Sequence, residues 1–182
     1  MMNKIAAKKI KKGDLKSYVR DIPDFPKPGI IFKDITPLLR DRDAFKKTIN
    51  LLAGKFKKEN IEQIVAVESR GFIFGAALAY KLGTGFIPIR KKGKLPYKTQ
   101  GITYQLEYGT DTLEVHEDAI QPGTRVLVVD DVLATGGTVR AVCDLLKQQK
   151  ANIVGVTFLI ELRFLKGNNR LKDVPIYSIL KY

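Results

Sequence analysis

The sequence predicts an α/β fold with a mostly parallel central sheet flanked by helices. Five short apolar runs, rich in β-branched residues, predict strands, because strands buried on both faces show no polar alternation. These five runs span residues 63–67, 86–89, 125–130, 153–160 and 176–180. Helical patterns lie between several of them, which implies right-handed crossovers between parallel strands. A length of 182 residues fits a single domain of this class.

The elements before the first strand are predicted from caps and breakers. Residues 1–13 contain the lysine run KKIKK and predict a basic N-terminal extension, outside a domain that spans residues 14–182. A short helix is predicted over 14–20, followed by an irregular segment with three prolines at 21–30. Asp41 is a suitable cap for a helix from about 42 to 60.

The later helices and one hairpin complete the prediction. Helices are predicted over 71–82, where small residues permit close packing, and from the TGG sequence to about 150. The long segment between the second and third strands is basic and contains Gly and Pro in its first half, and alternates in polarity in its second half. We therefore expect a functional loop followed by an antiparallel hairpin.

Composition limits the classes of function. The chain has 32 Lys and Arg against 19 Asp and Glu, a net charge of +13, which indicates an anionic partner such as a nucleic acid, an acidic membrane surface or a phosphorylated small molecule. Cys143 is the only cysteine and favours a reducing compartment, since no intrachain disulfide can form. No apolar run approaches the ~20 residues that cross a bilayer. His116 is the only histidine, so histidine metal clusters lack ligands.

The most informative motif is VLVVDDVLATGGT at residues 126–138, where a strand ends in two acids and a Gly-Gly turn leads into a helix. Backbone N–H groups of this turn and the positive helix end predict a site for a phosphate monoester. Asp130 and Asp131 would repel that phosphate unless they face a ribose diol or a magnesium ion. The alternative is a helix-capping acid pair before an ordinary turn. The Walker A and dinucleotide-binding patterns do not match.

The VVDDVLATGGT sequence is similar to the 5-phosphoribosyl pyrophosphate (PRPP) motif of the type I phosphoribosyltransferase family. Segments at 21–39, 68–75, 89–96, 104–116 and 160–167 resemble, in the same order, those of its adenine-using members. The resemblance implies the type I phosphoribosyltransferase fold, a five-stranded, mostly parallel sheet with a small hood and a flexible hairpin lid. It also implies transfer of the phosphoribosyl group from PRPP to adenine with Mg²⁺, giving AMP and pyrophosphate, in a cytoplasmic homodimer that serves purine salvage.

The resemblance also assigns site residues, and several of these assignments have an alternative. It implies that Glu107, Asp130 and Asp131 act at the reaction centre. The acid pair would bind the ribose hydroxyls and is a possible pair of metal ligands. Tyr108 would belong to the lid. The 5′-phosphate residues would be Ala134, Thr135, Gly136, Gly137 and Thr138. The pyrophosphate residues would be Ser69, Arg70, Arg90, Lys91 and Lys94, with a cis peptide at Glu68–Ser69. The adenine residues would be Ile31, Phe32, Lys33 and Leu162.

The alternatives are structural or concern other ligands. Phe32 and Leu162 could be core residues, Glu107 a solvated hairpin carboxylate, and the bases of 90–98 a solvated loop. A 6-oxo purine could replace adenine, although main-chain recognition at 31–33 argues against it. A PRPP-sensing regulator that binds nucleic acid would need a separate winged-helix domain, for which there is no room. The N-terminal lysines have no interleaved aromatics, so no nucleic-acid partner is expected. No membrane partner is expected either, because the sequence has no long apolar run.

Overall fold

The computed structural model describes residues 14–105 and 109–182. The chain divides into two compact units, residues 1–48 and 49–182, and the first is described from Asp14 onward. The basic extension at 1–13 and the residues Glu107 and Tyr108 lie outside the described residues. The domain boundary at residue 14 therefore stays a prediction.

The first unit contains a two-stranded antiparallel sheet. A 3-10 turn at Leu15–Tyr18 leads into β1 (Arg20–Pro23), which pairs with β2 (Ile31–Asp34) and is followed by α1 (Thr36–Arg40). The prediction of a helix over 14–20 is wrong in detail, because the chain leaves the turn after four residues to pair as β1. Asp34 holds the end of β2, since its carboxylate accepts hydrogen bonds from the Thr36 backbone N–H and from Arg20.

The helix α2 (Arg42–Phe56) begins as the sequence predicts and ends earlier. The Asp41 carboxylate accepts hydrogen bonds from the Asp43 and Ala44 backbone N–H groups, at 3.0 and 2.8 Å, which confirms Asp41 as the cap. The helix ends at Phe56 rather than near Asn60, which adopts a positive φ of 47° that an α-helix does not accommodate.

The second unit is built on a seven-stranded sheet. Its strands are β3 (Gln63–Val67), β4 (Gly85–Lys91), β5 (Thr99–Gln105), β6 (Thr110–His116), β7 (Arg125–Leu133), β8 (Asn152–Glu161) and β9 (Ile176–Lys181). Their order across the sheet is β5-β6-β4-β3-β7-β8-β9. Five neighbouring strands of this sheet, β4, β3, β7, β8 and β9, pair in parallel, which confirms the predicted parallel core.

The predicted hairpin is part of the same sheet. The strands β5 and β6 pair antiparallel from Thr99↔His116 to Gln105↔Thr110. The last residues of β4, Arg90 and Lys91, pair antiparallel with β6. The basic residues at the end of β4 therefore lie beside the hairpin.

Two helices pack against this sheet. They are α3 (Arg70–Leu82) and α4 (Gly137–Gln148), and both begin directly after a strand or turn. Cys143 of α4 is fully buried among apolar side chains that include Val142 and Leu146. None of the helices in the described residues is both long enough and apolar enough to span a membrane.

Candidate active site

The loop at residues 134–138, between β7 and α4, is shaped to receive an anion. Gly136 adopts a left-handed φ of 80° at the N-cap of α4, and α4 begins at Gly137. A glycine N-cap has no side chain to hydrogen-bond the first N–H groups of the helix, so these donors remain available to a ligand. The sequence predicted 5′-phosphate contacts in this loop, and its geometry agrees with an anion site.

The 134–138 loop rests on Gly167, which follows β8 and the 3-10 turn Arg163–Leu165. A Cβ added at Gly136 would lie 2.5 Å from the Gly167 carbonyl oxygen, and one added at Gly167 would lie 3.0 Å from the Gly136 nitrogen. Both positions require glycine, because only backbone atoms without a Cβ can approach this closely. The loop is therefore held from behind by the backbone of a distant segment.

Asp130 and Asp131 lie at the carboxyl end of the sheet. Asp131 is 4% exposed, Asp130 is half-buried, and the Asp131 backbone N–H donates to the Asp130 carboxylate at 2.8 Å. Burial, followed by the negative charge of Asp131, raises the pKa of Asp130 well above its usual range. Burial also raises the pKa of Asp131, against the lowering effect of Arg70.

The turn at residues 68–70 meets the acid pair. The Glu68–Ser69 peptide is cis, as the resemblance implied, and Ser69 is the N-cap of α3. Arg70 begins that helix, and its Nε lies 2.8 Å from Asp131 Oδ2. A Cβ added at Gly71 would lie 3.0 Å from Asp130 Oδ1 and from the Val129 carbonyl oxygen. The absence of a side chain at Gly71 thus lets the N-terminus of α3 approach the acid pair.

The two bases at the end of β4 are held by carboxylates. Arg90 donates to both oxygens of Glu68, at 2.8 and 3.2 Å, and to the Lys94 carbonyl oxygen. Its hydrogen bond is the largest effect that lowers the pKa of Glu68. Lys91 Nζ lies 3.1 Å from Asp111 Oδ2 of β6, and Lys94 is exposed. Glu68 and Asp111 were not predicted as site residues, and the only signal for either is that Asp111 lies in the acid-rich stretch 107–118.

The hairpin reaches the 134–138 loop through Tyr104. Its hydroxyl lies 3.3 Å from Thr138 Oγ1, and burial raises the pKa of Tyr104. The carbonyl oxygen of Gln105, the last residue of β5, lies 3.7 Å from the position of a Cβ added at Gly137. Glu107 and Tyr108, the predicted catalytic and lid residues, lie outside the described residues.

The predicted adenine residues Ile31, Phe32 and Lys33 form β2 in the first unit. Phe32 packs edge-on against Phe25 with ring centroids 5.2 Å apart, and Ile31 is 56% exposed. Lys33 Nζ is bound to Asp21 at 2.7 Å. In the described part of the chain, β2 pairs with β1 alone, so its other edge has no strand neighbour.

Leu162, the fourth predicted adenine residue, follows β8 in the second unit. Its backbone N–H donates to the Leu133 carbonyl oxygen at 2.9 Å, and its side chain is half-buried. A cavity of about 640 Å³ is lined by the neighbouring residues Glu161 and Arg163, together with others that include Lys166 and Lys181. This cavity does not include any of the predicted site residues.

Carboxylate oxygens are the ligands that Mg²⁺ prefers, so Asp130 and Asp131 fit a metal that is shared with a phosphorylated sugar. Among the described residues, no group of three or more His, Cys, Asp or Glu side chains could hold a metal on its own. The acid pair could therefore serve as part of a magnesium site whose other ligands come from substrate and water.

Comparisons with known proteins identify the family. The family described as "Phosphoribosyl transferase domain" matches residues 36–178. The adenine phosphoribosyltransferase of Syntrophotalea carbinolica is 60% identical over 169 residues, which cover 93% of this chain and 99% of that protein.

Solved structures agree with this match. The adenine phosphoribosyltransferase of Thermoanaerobacter pseudethanolicus superposes with a TM-score of 0.90 at 50% identity, covering 92% of this chain and 98% of the other. The enzyme of Saccharomyces cerevisiae, in complex with an imino-altritol bisphosphate and adenine, gives a TM-score of 0.85 at 42% identity, covering 90% and 95%. The chain therefore belongs to the adenine phosphoribosyltransferase family within the phosphoribosyl transferase domain family.

Proposed function

We propose that this chain transfers the 5-phosphoribosyl group from PRPP to adenine, with AMP and pyrophosphate as products, and so serves purine salvage. The observation that carries the proposal is the pairing of the 134–138 loop with the adjacent acids Asp130 and Asp131. A phosphate subsite and a diol subsite in succession suit a ribose 5-phosphate better than an inorganic anion. The family match over residues 36–178 and the adenine-bound relative support the same reaction.

The 5′-phosphate is assigned to the 134–138 loop, that is, to Ala134, Thr135, Gly136, Gly137 and Thr138. Its support is the uncapped N-terminus of α4 and the left-handed Gly136. The ribose hydroxyls are assigned to Asp130 and Asp131, which accept hydrogen bonds from a diol when ionised. Two carboxylates next to C1′ also stabilise the positive charge that develops there when the leaving group departs.

Magnesium is proposed to bind together with PRPP, near Asp130 and Asp131. When bound, the ion supplies charge neutralisation for the pyrophosphate. Burial and the charge of Asp131 raise the pKa of Asp130, and a bound cation would oppose both effects by favouring the ionised carboxylate.

Pyrophosphate is assigned to Ser69, Arg70, Arg90, Lys91 and Lys94. The proposal is supported by the position of Arg70 beside the acid pair, at the N-terminus of α3. In the free protein Arg90 and Lys91 are bound to Glu68 and Asp111, so pyrophosphate must compete with these carboxylates. Before the substrate arrives, these ion pairs hold the two bases in place.

Adenine is assigned to the main chain of Ile31, Phe32 and Lys33, with Phe32 stacking on the base, and Leu162 is assigned to adenine on the resemblance alone. The edge of β2 that has no strand neighbour in the described residues offers backbone donors and acceptors for N1, N6 and N7. The edge-on contact with Phe25 supports the Phe32 ring. A 6-oxo purine reverses the donor and acceptor at position 6, so it would leave groups unpaired.

The proposed reaction is a displacement at C1′. A nitrogen lone pair of adenine forms the bond to C1′ while the bond from C1′ to the pyrophosphate oxygen breaks, with inversion. The proton on the attacking nitrogen leaves the base, and Glu107 is the candidate acceptor. Tyr108 and the hairpin are proposed as a lid that excludes water, since water would otherwise hydrolyse PRPP.

The assembly and location are proposed on the family alone. A cytoplasmic homodimer is the expected form, with the 1–13 extension outside the catalytic domain. Size-exclusion chromatography with light scattering tests the dimer.

The test of the function is a steady-state assay with adenine, hypoxanthine and guanine at equal PRPP. With adenine, AMP and pyrophosphate should form in equal amounts. The kcat/KM for adenine should be far higher than that for either 6-oxo purine. Faster turnover of hypoxanthine or guanine would contradict the adenine assignment. A protein with no transferase activity on any base would contradict the whole proposal.

A further inference from the structure

Arg170 has a cationic side chain beside the 134–138 loop. One guanidinium nitrogen, Nη1, lies 3.6 Å from the position of a Cβ added at Gly137, the first residue of α4. The residue is exposed, and its side chain makes no hydrogen bond or ion pair within residues 14–105 and 109–182.

The other cations around α4 differ in this respect. Arg140 is bound to Asp144 and, at 2.7 Å, to Asp173, and Lys147 is bound to Asp173 at 2.5 Å. Asp144 and Asp173 thus neutralise the cations that lie further along α4. The guanidinium at the N-terminus of α4 receives no such partner among the described residues.

This placement is electrostatically unfavourable in the free protein. A helix N-terminus carries a partial positive charge, so a second positive charge beside it is repelled. The same arrangement becomes favourable when an anion lies between the guanidinium and the first N–H groups of the helix, because both then attract it.

The backbone fixes Arg170 at this position. Arg170 ends the 3-10 turn Gly167–Arg170, which starts at the glycine that contacts the 134–138 loop. Leu171, the next residue, is fully buried, and its N–H donates to the Asn168 carbonyl oxygen at 3.1 Å. The base of the side chain is therefore anchored on both sides, and its tip is free to meet a ligand.

We propose that Arg170 is a further binding residue of the 5′-phosphate subsite, where it selects a doubly charged phosphate ester. The inference rests on the proposed function, which supplies the ester. The backbone N–H groups of the loop bind any oxyanion, whereas a guanidinium adds a charge-dependent preference for the dianion.

The test compares one ligand that fills the 5′-phosphate subsite, AMP, with two that leave it empty in the proposed assignment, adenosine and pyrophosphate. Isothermal titration calorimetry measures the Kd of AMP, of adenosine, and of pyrophosphate with Mg²⁺. The proteins are the wild type, Arg170→Ala, Arg170→Lys and the matched control Lys172→Ala, which removes an exposed cation two residues away. Circular dichroism confirms that each variant is folded.

Arg170→Ala should raise the Kd of AMP about tenfold, since a hydrogen bond between charged groups is worth roughly that factor. The Kd of adenosine and of pyrophosphate should stay at the wild-type values. Arg170→Lys should recover part of the AMP affinity, and Lys172→Ala should change none of the three.

Two results would overturn the inference. One is an unchanged Kd of AMP in Arg170→Ala, and the other is an equal loss for AMP and pyrophosphate, which indicates a general effect of charge. A wild-type protein that binds neither AMP nor pyrophosphate would instead contradict the proposed function. These failures are therefore distinguishable.

Discussion

Replacing Gly167 by alanine should displace the 134–138 loop, although Gly167 is not itself a proposed ligand contact. The new Cβ would lie 3.0 Å from the Gly136 nitrogen and from the Thr135 carbonyl carbon, and still closer to the Ala134 carbonyl oxygen. All three are backbone atoms, so no side-chain rotation can relieve the overlap. Overpacking of this kind costs about 1–3 kcal/mol.

Two measurements follow from that magnitude. The Tm should fall by roughly 2–4 °C for each kcal/mol in a chain of this size. The KM for PRPP should rise more than kcat falls, because a 5′-phosphate subsite holds substrate and transition state alike. Thermal unfolding followed by circular dichroism and steady-state kinetics at saturating adenine provide both values.

Gly54→Ala is the matched control. Gly54 lies on the exposed side of α2, and a Cβ there has no atom within 4 Å. The substitution should stabilise the protein by about 0.5–1 kcal/mol, since alanine favours the helix. If Gly167→Ala matched wild type in both Tm and KM, the close backbone approach could not be holding the loop. A lower Tm with unchanged KM would separate stability from ligand binding.

Three other predictions concern the acids and the thiol. Replacing Asp130 and Asp131 together by asparagine should lower kcat/KM at least about 10²-fold with the fold intact, and near-normal activity would contradict their role. Asp131→Asn should lower the pKa of Asp130, because a neighbouring negative charge now raises it; carboxyl-carbon NMR titration should show Asp130 protonating at a lower pH than in wild type, and a higher pH would refute this. Burial raises the pKa of Cys143 to about 11, so a disulfide reagent at pH 8 should react only as the protein unfolds; rapid reaction of the folded protein would contradict the buried position.

The parallel core could be predicted because its strands are continuous apolar runs, whose period and length are local properties of the sequence. Strand ends were less predictable. The strand β7 continues past Asp130 to Leu133, since Val132 and Leu133 still pair with Ile160 and Glu161 of β8. The acids thus lie within a paired strand rather than after it, and only the partner strand reveals this.

The 134–138 loop was predictable for the same local reason, as a strand, two acids and a glycine turn are consecutive. Its supports were not. Gly167 and Arg170 come about 30 residues later, and neither forms a motif with the loop. Glu68 and Asp111 were missed because an ion pair depends on which strands become neighbours.

The contact of Gly167 with the 134–138 loop has a consequence for synthesis of the chain. During translation the loop leaves the ribosome well before residues 163–170, which support it. A nascent chain that stops short of this segment contains the glycine turn and the acids but not the backbone behind them. Ligand should therefore stabilise only chains that have extruded both parts, and partial chains should gain no protection from AMP against proteolysis.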